Sequence, residues 1–185
     1  MSMSRLAILL LTAGAVFAQS FIRPPAVPLV AHDPYFSIWS MDDNLTGSPT
    51  RHWTGSEQQL TGLIRIDGSP WRFMGALPRN SPAMKQVTRE VTPTRTIYVF
   101  EEGGVRLTLT FLTPALPMDL DVLSRPLSYL VADVRSVDGA AHKVSLYFDA
   151  SAYLATNTPE QRVGLSRFRL GEMEVLRAGT VDQPV

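Results

Sequence analysis

The chain has 185 residues, 45% of them hydrophobic and 18% charged, so it can bury a core of the size found in one ordinary domain. Lysine plus arginine and aspartate plus glutamate both number 17, and this zero net charge argues against a nucleic-acid partner or a polybasic membrane anchor. The absence of cysteine excludes disulfides, thiol catalysis and thiolate zinc sites.

Residues 1–18 have the three parts of an export signal. Arg5 is the basic residue, an apolar run follows from Leu6 to Leu11, and small residues lead to Ala18. The run is shorter than the ~20 residues that a membrane-spanning helix needs. A buried N-terminal helix is the alternative, but the segment has no amphipathic face. We therefore expect cleavage after Ala18, a secreted or periplasmic protein, and no membrane partner.

The rest of the chain has the pattern of short strands and turns, with almost no helix. The proline-rich segment 21–34 is expected to be extended. Two apolar runs flank Asp67-Gly68, a strong hairpin signal. Residues 105–113 alternate apolar and polar side chains, as a half-buried strand does. The other predicted strands are 60–66, 71–74, 86–91, 95–101, 127–137, 142–149, 162–170 and 173–176.

Two of these strands carry more specific expectations. Residues 127–137 are evenly apolar, which predicts a central strand. In 142–149, the side chains of Val144, Leu146 and Phe148 are expected to form a buried face. No βαβ alternation is visible, so the fold class is predicted to be all-β, an antiparallel β-sandwich preceded by a short N-terminal cap. The predicted divisions are 1–18, the signal; 19–76, the cap; and 77–185, the sandwich.

Several motifs carry a family resemblance. They are HDPYFSIWS at 32–40, TRHWTG at 50–55, RFMG at 72–75, TRTIYVFEEGGVRLTLTFLTPALP at 94–117 and LSRPLSYLVADVRSVDG at 123–139. The chain resembles the N-terminal β-rich part of the secreted glutaminase A-like proteins. The resemblance implies hydrolysis of L-glutamine to glutamate and ammonia by a helical toroid that follows this part. We expect the chain to stop before that toroid, its partner, and to be inactive alone.

Five residues are candidates for contact with a substrate: His32, Asp33, Arg51, His52 and Trp53. A tryptophan beside histidine and arginine can hold a sugar or another polar molecule. The structural alternative makes Asp33-Pro34 a turn and Trp53 a cap at the rim of the core. Trp39 and Trp71 are expected in the core.

No catalytic motif, cofactor site or metal site is predicted. The acidic pairs, such as Asp119 with Asp121, fall in turns, where carboxylates are solvated. Three functional classes remain open. The first is the non-catalytic β-domain of a glutaminase A-like hydrolase. The second is a free-standing carbohydrate or small-ligand binding module, or part of an enzyme resembling glycoside hydrolases. The third is a domain that packs on another chain.

Overall fold

The computed structural model describes residues 24–182. The predicted signal peptide and its cleavage site lie outside the described residues. Within the described range, no helix is long and apolar enough to cross a membrane.

The described chain is almost entirely antiparallel strands. Helical structure among residues 24–182 is limited to one turn of α-helix, α1 (Leu120–Leu123), and one 3₁₀ turn (Ala152–Ala155). The strands are β1 (Val27–Ala31), β2 (Ser37–Ser40), β3 (Arg51–His52), β4 (Leu60–Ile66), β5 (Ser69–Met74), β6 (Lys85–Thr92), β7 (Arg95–Glu102), β8 (Val105–Leu112), β9 (Tyr129–Ser136), β10 (Val144–Ala150), β11 (Val163–Leu170) and β12 (Met173–Thr180). The all-β antiparallel sandwich predicted from the sequence is confirmed.

The strands form four sheets with short connections. Their orders are β1-β2-β3, β10-β4-β5, β6-β7-β8-β9 and β11-β12. The turn between β4 and β5 is the predicted hairpin: Asp67 and Gly68 both have positive φ, 49° and 92°. Two consecutive positive φ angles match the twist of the flanking strands, and glycine adopts them without steric cost.

The core lies between the β10-β4-β5 and β6-β7-β8-β9 sheets, with β1 and β2 packed into the same cluster. The ring centroids of Phe73 on β5 and Phe100 on β7 are 6.2 Å apart, which joins the two sheets. Strand β8 alternates as predicted, with Leu107 and Leu109 buried and Thr108 turned outward. The cluster draws residues from both sides of position 76, and the division there stays a prediction.

Two predictions about burial were wrong. Strand β9 is an edge strand, not a central one, because it pairs only with β8 in its sheet. On β10, Val144 is half-buried, but Leu146 and Phe148 are 46% and 47% exposed. The alternation is correct, since these side chains lie beside the inner residues of β4. The burial is incomplete because, within residues 24–182, this end of the inner face is only partly covered.

The three tryptophans divide by exposure as predicted, but less sharply. Trp53 is 57% exposed and is the most accessible of the three. Trp39 and Trp71 are only half-buried. Trp71 packs against the rim of the core from β5, beside Ile64 of β4. The prediction that both lie inside the core is therefore too strong. An indole on a short strand near a sheet margin covers the core without being enclosed by it.

Candidate functional site

Three segments meet at one end of the molecule. The first is the loop 32–36, which connects β1 to β2. The second is the segment 53–59, which follows β3. The third is the segment 151–159, which follows β10. Strand β2 pairs with β3, and the backbone N–H of Ser151 donates to the carbonyl of Gln59 at 2.8 Å. Sheet pairing therefore brings together residues that are more than a hundred positions apart.

The loop 32–36 is held in one conformation by its own hydrogen bonds. Asp33 Oδ1 accepts from the backbone N–H of Tyr35 at 2.7 Å and of Phe36 at 3.0 Å. The N–H of His32 donates to the carbonyl of Phe36 at 3.3 Å, closing the loop. This arrangement is an Asx turn, the structural alternative considered for Asp33-Pro34. The Asp33 carboxylate therefore holds the loop through Oδ1.

The Pro34 carbonyl joins the first loop to the second. It accepts from Nε2–H of His52 at 2.9 Å and from Nε1–H of Trp53 at 2.6 Å. Because Nε2 of His52 donates to a carbonyl, Nδ1 is left to accept from the Thr54 hydroxyl, 2.8 Å away. Both nitrogens of this imidazole are therefore occupied within the protein. The arrangement fits a positioning role for His52 and not general-base chemistry.

Arg51 is engaged by its own turn. One guanidinium nitrogen donates to the carbonyl of Gly55 at 2.9 Å, and another lies 3.0 Å from Glu57 Oε1. Glu57 Oε2 also accepts from the side chain of Gln59 at 3.0 Å. These contacts shape the segment 53–59 and leave the charges of Arg51 and Glu57 largely balanced.

His32 makes a different set of contacts, although it lines a shallow cavity together with Asp33 and Trp53. Its ring stacks on Phe36 with centroids 5.6 Å apart, and Nε2 is 3.3 Å from the Ser128 hydroxyl. Burial lowers the pKa of His32, and the charge of Asp33 opposes that shift only in part. A serine beside a histidine resembles a nucleophile and its base. A catalytic triad also needs a third group orienting the imidazole, and Asp33 is committed to the loop backbone.

Four of the five candidates are divided between two cavities: His32, Asp33 and Trp53 line one, and His52 lines the other. Asp33, Arg51, His52 and Trp53 form a hydrogen-bonded scaffold, and His32 belongs to a separate contact with Ser128. The residues that line the cleft beside this scaffold were missed: Tyr35, Ser56, Glu57, Gln58, Tyr153 and residues 156–159. Tyr35 has a sequence signal, since it lies inside the motif HDPYFSIWS. Gln58 and Tyr153 have none, because only the pairing of β4 with β10 brings them close.

The carboxylates of the predicted turns have structural roles. Asp119 caps α1 by accepting from the N–H of Val122 at 3.0 Å, and Glu101 forms an ion pair with Arg106. Among residues 24–182, no group of three or more histidine, cysteine, aspartate or glutamate side chains could hold a metal ion.

Comparison with known proteins gives three matches. Residues 11–81 match a family model described as a domain of unknown function (DUF4964), and residues 94–185 match another described in the same way (DUF5127). Glutaminase A of Aspergillus oryzae is 38% identical over 152 residues, which cover 78% of this chain and 22% of the relative. The chain therefore spans about a fifth of the length of the curated relative it matches. No solved structure matches the chain.

Proposed function

Because the chain belongs to the glutaminase A-like family, we propose that it forms the N-terminal, non-catalytic β-region of a secreted hydrolase of that family. The hydrolytic step, release of ammonia from the side-chain amide of L-glutamine, is assigned to a helical toroid. The β-region packs against that toroid and supports it. Residues 1–18 direct export, and Gln19 becomes the first residue of the mature protein.

The observation that carries this proposal is the uncovered inner face of β9 and β10. Leu130 on β9 lies beside the buried Phe111 of β8, and Leu146 on β10 lies beside the buried Ile64 of β4. Leu130, Leu146 and Phe148 nevertheless stay 37%, 46% and 47% exposed. Exposed apolar side chains on the inner faces of two sheets favour an interaction site. A covering partner would complete the layer that the two sheets begin.

The length of the relative supports a partner within a longer protein. Since the chain corresponds to only 22% of glutaminase A, most of that protein is available to supply the covering surface. The candidate site supports the non-catalytic role. Each of its polar groups best placed for chemistry, Asp33, His52 and Glu57, already holds a backbone or side-chain partner.

The experiment is an ammonia-release assay on L-glutamine. The purified chain is assayed alone, and then with the separately produced toroid of the longer protein. We expect no turnover by the chain alone, and we expect binding to the toroid that depends on Leu146 and Phe148. Robust turnover by the chain alone would overturn the proposal, and His32, Asp33 and His52 would then be the first residues to mutate.

A matched pair of variants tests the docking face. Phe148→Ser and Val87→Ser each remove an exposed apolar side chain, 47% and 45% exposed, and Val87 lies on β6 at the far edge of its sheet. We expect Phe148→Ser to weaken association with the toroid by about tenfold or more, a loss of ~1.4 kcal/mol, and Val87→Ser to leave it unchanged. Equal effects would show that this face is not the interface.

Export has its own test. Mass spectrometry of secreted or periplasmic material should find Gln19 at the N-terminus. Recovery of the chain only from the cytoplasm, with Met1 and the following residues intact, would contradict the proposed signal.

A further inference from the structure

We propose that the cleft between loop 32–36, segment 53–59 and segment 151–159 binds a neutral carbohydrate. The cleft has a volume of about 470 Å³. That is in the range of ~300–1,000 Å³ occupied by small-molecule sites. The proposal is independent of the docking face on β9 and β10 and of the family's hydrolytic activity.

The first observation is an aromatic side chain held outward by a fixed backbone. Tyr35 is 90% exposed. Its own N–H is bound by Asp33, and the carbonyl of the preceding residue, Pro34, accepts from both His52 and Trp53. These hydrogen bonds hold the backbone on both sides of the Tyr35 side chain. A tyrosine offers a large, rigid ring at small conformational cost, which suits it to stacking against a ligand.

The second observation is another tyrosine lining the same cleft. Tyr153 is 47% exposed and lies in the 3₁₀ turn after β10. Its position is set by Ser151, whose hydroxyl accepts from the N–H of Tyr153 at 3.3 Å. Tyr35 and Tyr153 therefore line one cleft from segments of the chain that are remote in sequence. A pyranose ring presents the apolar C–H face that such aromatic surfaces accept.

The third observation is a neutral amide in the wall of the cleft. Gln58 is one of the lining residues. A glutamine side chain carries both donors and an acceptor, so it can form hydrogen bonds with sugar hydroxyl groups.

The charges of the residues that line the cleft indicate which class of ligand it binds. Besides the two tyrosines, the ionisable lining residues are Glu57, which is paired with Arg51, and His52, whose two ring nitrogens contact Thr54 and the Pro34 carbonyl. No lysine or arginine lines the cleft. A free amino acid such as L-glutamine would leave its carboxylate without a cation there, whereas a sugar carries no charge to satisfy. Aromatic faces combined with neutral polar groups favour the sugar.

The test is titration of the purified chain with methyl glycosides of glucose, galactose, mannose and N-acetylglucosamine, followed by calorimetry and saturation-transfer NMR. L-Glutamine is titrated in parallel. We expect saturable binding of at least one glycoside with a Kd of about 1 mM or tighter. Tyr35→Ala should weaken that binding by about tenfold or more, and Tyr35→Phe should retain it because the ring face makes the contact.

Two further variants keep the result interpretable. Gln58→Leu should weaken glycoside binding, since it removes the acceptor. Tyr147→Ala removes a tyrosine of similar exposure to Tyr153, 54%, from strand β10 outside the cleft and should leave binding unchanged. If Tyr35→Ala unfolds the chain, Tyr153→Ala replaces it. Failure of every glycoside to saturate, or binding unaffected by both tyrosine variants, would overturn the proposal. Tyr35-dependent binding of L-glutamine alone would overturn the sugar assignment.

Discussion

At the scale of single residues, packing fixes what each position tolerates. Gly62 on β4 shows this most clearly, because a Cβ built there would lie 2.2 Å from a ring carbon of Phe73. Phe73 is itself buried, so its ring has little room to move. Because Gly62 has no side chain, the ring of Phe73 on the neighbouring strand β5 can lie directly against it.

Gly62→Ala should therefore destabilise the fold by about 1–3 kcal/mol, the usual cost of overpacking a core. Gly179→Ala is the control, since Gly179 lies in β12, where an added methyl group would meet no heavy atom within 4 Å. Its φ also lies outside the left-handed region, so alanine fits the backbone there. Urea melts of the two variants measure the difference. Equal midpoints would contradict the tight contact with Phe73.

His142 is a second residue whose contacts make a prediction. Its Nδ1 is 2.7 Å from Asp67 and its Nε2 is 3.0 Å from Asp138, so the imidazole bridges the β4–β5 turn and the β9–β10 connection. Two carboxylate acceptors favour the doubly protonated ring. The hydrogen bonds to Asp67 and Asp138 raise the pKa of His142 above 6.5, and the bond to His142 lowers the pKa of Asp138 to about 2.

The sign of the pH dependence follows from these shifts. A raised histidine pKa stabilises the fold below about 6.5, and that stability is lost as pH rises through the folded-state pKa. A lowered aspartate pKa stabilises the fold above 3.8, and that stability is lost as pH falls toward about 2. His142→Gln should thus lower the Tm most near pH 5 and least near pH 9. A Tm difference that does not change with pH would show that the bridge is not ionic. Arg135→Gln, at an exposed ion pair, is the control.

At the scale of strands, two leucines that both face inward differ in burial. Leu107 on β8 and Leu146 on β10 both face inward, but Leu107 is fully buried and Leu146 is 46% exposed. Strand β8 has neighbours on both sides, whereas β10 lies at the edge of its sheet. An edge position alone is not the cause, since Phe73 and Met74 on the edge strand β5 are buried. The strand pattern gives the side that a leucine faces, and packing over that side decides how much of its surface is removed from water.

Leu107→Ala should cost about 2–5 kcal/mol, as for other enclosed leucines. Leu146→Ala should cost about 0.5 kcal/mol or less in this chain, as for surface positions. Thermal and urea denaturation of the two variants test the comparison. Similar losses would mean that the inner face of β10 is covered in solution.

At the scale of the whole molecule, the described chain carries more apolar surface than its core can cover. The β11–β12 hairpin forms a two-stranded sheet of its own, and Leu165 and Leu176 are each 78% exposed on it. The strand register places both on the same face of the hairpin, which also carries the Arg167–Glu174 ion pair. This face and the inner face of β9 and β10 offer two surfaces for association.

The purified chain should therefore self-associate as its concentration rises, as measured by sedimentation velocity. Leu165→Glu combined with Leu176→Glu should shift the population toward monomer, because the two changes remove the exposed leucine side chains of this face. Met118→Glu is the control, since Met118 is 97% exposed in a loop outside the hairpin. A chain that stays monomeric at all concentrations would contradict the expectation.

The sequence by itself determined the strands from β4 to β12 and the turns between their hairpins, because these depend on residues close together in the chain. The β4–β5 hairpin at Asp67-Gly68 and the burial pattern of β8 are examples. The short strands β1, β2 and β3 were not predicted. The resemblance carried by the motifs at 32–40 and 50–55 also identified the family. Burial at Leu146 could not be predicted in this way, since alternation gives the side a residue faces but not what covers it.

Only the tertiary structure decided the candidate site. Asp33, His52 and Trp53 were found from their motifs, and their hydrogen bonds within and to the loop 32–36 show that they hold the surface that they also help to line. Tyr153 and Gln58 join that surface because β10 pairs with β4. Such contacts between residues distant in sequence arise from sheet pairing, and no local pattern encodes them.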